Sequence, residues 1–121
     1  MKSYTDIEQS KKLADILPLE TADNYYSWHD ERYYVVNKDC PYPYSLKEKI
    51  PCWSLAALLS IIPQELFDGE YIINITEGII NKWIISYEPP YDISSYLSVS
   101  NDTLINCCIE MIIKLKERNL L

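Results

Sequence analysis

Glycine is almost missing from this chain: only Gly69 and Gly78 occur among 121 residues, and neither belongs to a repeated pattern. Walker, dinucleotide and kinase loops bring several backbone amides against a phosphate through clustered glycines, so these loops are excluded and no nucleotide cofactor is expected. Histidine occurs once, as His29. One imidazole leaves few ways to build a nucleophile and base pair, and it leaves any zinc site to the four cysteines. Their spacing does not suit zinc, because Cys40 and Cys52 stand far apart and Cys107 and Cys108 are adjacent, whereas structural zinc takes paired ligands at short, repeating spacing. No metal or other cofactor is expected, and all four thiols read as small buried hydrophobes.

Positive charge is also scarce. Eleven Lys and Arg face 18 Asp and Glu, a net charge of −7. A surface of that sign repels DNA and RNA, so no nucleic-acid partner is expected. Long apolar runs are absent as well. The most apolar stretch, IPCWSLAALLSIIP at 50–63, is interrupted by Pro51 and Pro63, far short of the ~20 apolar residues a membrane span needs. It also lacks the Lys- or Arg-rich face of an interfacial helix, so no membrane partner is expected. Being apolar nearly all round, it reads as a central core helix, with Trp53, Leu55, Leu58, Leu59 and Ile62 buried. The first residues, MKSYTDIEQSKKLADIL, carry acids where an export signal has an apolar stretch. A cytoplasmic location with reduced thiols follows as the expectation.

What remains is an ordinary globular composition, 48% apolar and 24% charged, enough for one domain over 1–121 with a packed core. Thr5 followed by Glu8 is a capping-box spacing and predicts a helix over 6–17, stopped by Pro18. NYYSWHDERYYVVN, residues 24–37, sets two aromatic and β-branched runs around a polar centre and predicts a hairpin. Residues 39–49 hold Pro41 and Pro43 and read as a loop or arm. Ser54 is the predicted cap of the core helix. Strand-like runs follow at 71–76 and 80–87, the second with Trp83, Ile85 and Tyr87 on one face and Ile84 and Ser86 on the other. Residues 91–101 suggest a short edge strand followed by a loop. A last helix over 103–119, capped by Asn101 or Asp102, shows a polar stripe of Thr103, Asn106, Glu110, Lys114 and Glu117. The expected fold is a single α+β domain. An antiparallel sheet from the 71–87 hairpin, extended by 25–36, packs against the core helix and the C-terminal helix, with an N-terminal helix over an edge.

Three places offer chemistry. A helix dipole at the expected start of the core helix lowers the pKa of the Cys52 thiol, and His29 serves as its base if the fold brings the two together, but nothing in the sequence links them. In WHDE, 28–31, successive side chains point in different directions and do not converge on one site. Glu110 sits in the apolar run CCIEMIIKL, where a raised pKa would mark function, yet Lys114 one turn on predicts a solvated i,i+4 pair. No catalytic residue is assigned, and a non-enzymatic role is expected.

Tyrosine is abundant instead: eleven of them against a single phenylalanine. Tyrosine combines a large contact area with a polar tip, which suits recognition. Tyr25, Tyr26, Trp28, Tyr33, Tyr34, Tyr42 and Tyr44 gather in the hairpin and the following arm as candidate binding residues, although strand alternation turns about half of the hairpin rings toward a core. Four segments, EQSKKL (8–13), TADNYY (21–26), IPCWSLAALLSIIP and INCCIEMIIKLKERNLL with its EMIIKL core, resemble a family of small bacterial proteins of gut anaerobes and their mobile elements. Asn24 and the pair Asn106 and Cys107 depart from its pattern. The resemblance implies a self-contained domain of phage or conjugative origin and brings no activity, cofactor or catalytic residue. The leading expectation is a protein-interaction or regulatory module whose partner is another protein. Two alternatives stand beside it: a small-molecule binder or cryptic enzyme with a pocket between sheet and core helix, using Cys52 or Glu110, and an acidic inhibitor that mimics nucleic acid.

Overall fold

In a computed structural model of the chain, which describes residues 3–29, 31–39, 49–80, 82–91 and 94–121, the first helix opens one residue later than the spacing predicts. Asp6, not Thr5, is the cap of α1 (Ile7–Ala14): its carboxylate accepts from the Gln9 amide at 2.8 Å, and the Gln9 side chain accepts in return from the Asp6 amide at 3.0 Å. Thr5 is fully buried and spends its hydroxyl on Ser10, 2.7 Å away. The helix stops short of the expected Leu17, and Pro18 leads into a 3-10 turn, Leu19–Thr21.

The chain forms two compact units, Met1–Leu58 and Leu59–Leu121. In the first, β1 (Asn24–His29) and β2 (Arg32–Asn37) make the predicted hairpin in an unbroken six-pair register from Asn24↔Asn37 to His29↔Arg32. Glu31, in its turn, has φ of 63°. A third strand, β3 (Ile50–Cys52), lies on the other side of β1, giving the order β2-β1-β3. Cys52 is therefore a strand residue and not, as its sequence context predicts, the start of a helix. Pro51 fits the strand because it opposes Tyr25, whose own backbone groups face β2, so the β1–β3 ladder loses no donor. Most of the predicted arm, with Cys40, Tyr42 and Tyr44, lies outside the described residues.

Helix α2 (Leu55–Ile61) carries the chain from one unit to the next. Ser54 caps it as predicted, accepting from the Ala57 amide at 3.2 Å. Trp53, Leu58 and Ile62 are buried, while Leu55 and Leu59 are only partly so. Among the described residues no helix is long and apolar enough to cross a membrane.

The second unit is a four-stranded antiparallel sheet ordered β4 (Glu65–Leu66), β5 (Tyr71–Glu77), β6 (Trp83–Glu88), β7 (Leu97–Asn101), with α3 (Leu104–Glu117) packed on β6 and β7. The side chains of β6 alternate between faces, but the strand is not half-buried as predicted, since Ile85, Ser86 and Tyr87 are all buried in this central strand. The strand also starts at Trp83, and Ile80 lies exposed in the preceding turn. In 91–101 the strand comes last and not first. The cap of α3 is Thr103, accepting from the Asn106 amide at 3.1 Å, in place of Asn101 or Asp102. Helices with antiparallel sheets make the chain α+β as expected, but the 24–37 and 71–88 hairpins belong to separate sheets and neither extends the other.

Candidate functional site

Strand alternation divides the hairpin rings between two faces of the first sheet. Tyr26, Trp28, Tyr33 and Val35 share one face, because Trp28 opposes Tyr33 and Tyr26 opposes Val35 in the register. Trp28 and Tyr33 meet edge to face at 4.8 Å between centroids, and Tyr26 meets Tyr33 at 6.3 Å, a geometry aromatic quadrupoles favour. Tyr25, Ser27, Tyr34 and Val36 occupy the other face. The outer half of the hairpin is open: Trp28 is 39% exposed, Tyr33 36%, Tyr34 45% and Val35 38%. Of the seven predicted residues, then, Trp28, Tyr33 and Tyr34 are exposed, Tyr26 is half-buried, Tyr25 is buried, and Tyr42 and Tyr44 lie outside the described residues.

Tyr25 and Tyr26 serve the framework. Tyr25 is buried, and the Lys49 ammonium lies 4.4 Å from its ring centre. The Tyr26 hydroxyl donates to the Thr5 carbonyl at 2.6 Å, and burial, followed by its neighbour Cys52, pushes it up to about 12. The same carbonyl accepts from the Cys52 thiol at 3.7 Å. Cys52 is fully buried, and burial raises its pKa despite hydrogen bonds from Thr5 and Tyr26 that work the other way. A protonated, enclosed thiol is the opposite of an activated nucleophile. His29 is no help to it: Cys52 pairs with Asn24, five residues along β1, roughly 16 Å at strand rise.

A second polar cluster ties the base of the hairpin to α2. The Asp23 carboxylate accepts from the Ser54 amide at 2.9 Å and from the Ser54 hydroxyl. Burial works to raise Asp23, but the hydrogen bonds from Ser54 and Asn24 outweigh it and the carboxyl is held below its usual value. The Trp53 indole donates to Thr21 at 3.0 Å. Neither tie is readable from local sequence, since the partners stand 31 and 32 residues apart.

Other candidates resolve differently. Glu110 is exposed and accepts from Asn101 at 2.9 Å, while Lys114 donates to the Ser98 carbonyl at 3.4 Å, so the two reach toward neighbouring strand ends and not toward each other. Among the described residues no group of three His, Cys, Asp or Glu is placed to hold a metal. A cleft of about 300 Å³ lies at the base of the hairpin, walled by Leu19, Ala22, Tyr25 and Pro51 with Lys38 and Lys49 at its edge. The sequence also gave no sign of an aromatic cluster in the second unit, where Tyr71 and Tyr96 stack at 4.9 Å beside half-exposed Phe67 and the Arg118 guanidinium lies 5.4 Å from the Tyr96 ring. No family model, curated protein or solved structure matches this chain.

Proposed function

We propose that this chain is a non-enzymatic interaction module that binds another protein through the β1–β2 hairpin. The observation that carries the reading is β2 itself: the terminal strand of its sheet among the described residues, whose Tyr33, Tyr34 and Val35 are exposed in succession, beside exposed Trp28. Large amphipathic rings left open on a rigid hairpin are the residue type that dominates protein interfaces. Tyr25, Tyr26 and the Asp23–Ser54 pair supply the rigidity, since each is fixed by packing or hydrogen bonds within the unit. The chemistry of Cys52 points away from catalysis, and the resemblance to mobile-element proteins suits an accessory module acting on another protein.

The test compares two surface changes on the folded protein. Tyr33→Ala with Tyr34→Ala removes rings from the hairpin, whereas Phe67→Ala removes one from the second unit. Affinity capture from the native host is expected to lose its specific partner with the first variant and keep it with the second, both melting cooperatively. Retention of the partner by the hairpin variant, or its loss with Phe67→Ala alone, would count against the hairpin.

A further inference from the structure

The backbone of β2 carries a pattern that its side chains do not reveal. Lys38 donates its amide to the Asp23 carbonyl at 3.2 Å, extending the β1–β2 ladder by one pair. Backbone groups of successive strand residues point to alternate sides, so Arg32, Tyr34, Val36 and Lys38 turn toward β1. Tyr33, Val35 and Asn37 turn outward, where the sheet order places no further strand among the described residues. Three N–H and three C=O groups therefore stand along an open edge of exposed residues.

Natural edges are blunted by proline, bulges, shortness or charge in mid-strand. β2 has none of these: its register is unbroken, it runs six residues, and its centre, Tyr-Tyr-Val-Val, is of strong strand formers. Charge appears only at its ends. Arg32 opens the strand and Lys38 pairs just past its end, on one face, while Glu31 and Asp39 lie one residue further out in the flanking turns. A second copy paired antiparallel about Val35 keeps the outward groups in phase but sets Arg32 against Lys38 at both ends and brings the turn carboxylates of Glu31 and Asp39 near each other. Like charges directly opposite are unfavourable. The complementary occupant has the reverse order, with carboxylates opposite Arg32 and Lys38 and cations one position further out.

Resting on the hairpin reading above, we propose that β2 takes up an extended strand of another protein by antiparallel strand addition, and that this strand carries a β-branched centre between inner carboxylates and outer cations. The backbone ladder supplies attachment and the four end charges set the register.

Two synthetic peptides of equal composition and zero net charge test this: Lys-Glu-Thr-Val-Thr-Val-Thr-Glu-Lys and its charge-swapped form Glu-Lys-Thr-Val-Thr-Val-Thr-Lys-Glu. The first is expected to bind the whole protein about tenfold tighter than the second, from four end pairs changing sign. On binding, the amides of Tyr33, Val35 and Asn37 are expected to gain protection from hydrogen exchange, while those of Tyr34 and Val36 are already protected by β1. Val35→Pro deletes an outward donor and no β1 bond, so it is expected to abolish peptide binding with the fold intact. Equal affinities, or no new protection at those three amides, overturn the proposal, and so does a protein that sediments as a dimer until Val35→Pro makes it monomeric. If the Tyr33→Ala/Tyr34→Ala variant loses the native partner while Val35→Pro retains it, strand addition fails and the hairpin face stands. If both variants retain it, both readings fail.

Discussion

A carboxylate that accepts from both the amide and the hydroxyl of one serine is held in its charged form, and Asp23 does this at the junction of β1 and α2. Its folded pKa lies below the ordinary 3.8, so the stability it contributes is present above that value and is lost as pH falls through the folded pKa. Urea unfolding is therefore expected to show Asp23→Asn less stable than the native chain at pH 7, with the gap closing below about pH 4. A gap that stays constant down to pH 2 would mean that the charge on Asp23 does not matter. At this scale the sequence was least legible. Tyr26 looks like Tyr33 in the string, yet one is bound to the Thr5 carbonyl 21 residues away and the other faces solvent. Long-range partners decide which tyrosine is framework and which is surface.

Elements were more legible, because they rest on local chemistry. The alternation in 24–37 gave the hairpin, although His29 and Arg32, read as part of its polar centre, pair as strand residues, and the apolar periodicity of the last helix gave α3 within two residues of its ends. Errors arose where a short polar residue had two competing roles or where an apolar run was ambiguous. Thr5 was taken from capping by a buried bond to Ser10. The run around Pro51 holds both a strand and a helix, since Ile50 and Cys52 pair with β1 before Ser54 caps α2. β6 lacks the open face expected of it because this central strand is buried on both sides at Ile85, Ser86 and Tyr87. The hairpin turn also carries a cost: Glu31 adopts φ of 63°, a left-handed conformation that a long side chain disfavours. Asparagine tolerates it, so Glu31→Asn is expected to raise stability by roughly 0.5–1 kcal/mol in urea titration. A destabilised variant would show that the Glu31 side chain makes an offsetting contact.

Among the described residues, exposed apolar side chains occur in both units, Ile79 and Ile80 in the β5–β6 turn as well as the hairpin residues. Isolated ones are normal on any protein surface, and Tyr91, fully exposed in the second unit, is of that kind. Trp28, Tyr33, Tyr34 and Val35 are not isolated: they are consecutive or paired across one ladder, on a strand with no further neighbour among the described residues. That concentration was half visible in the tyrosine count; the open edge was not, because strand order is absent from a single sequence. The claim that the hairpin is the recognition element is tested most directly by contact. A photoreactive benzoylphenylalanine is placed in the native host either at Tyr34 or at Tyr91, two exposed tyrosines on different units. The expected result is one discrete protein adduct from position 34 and none from position 91. An adduct from position 91 with none from position 34 would contradict it.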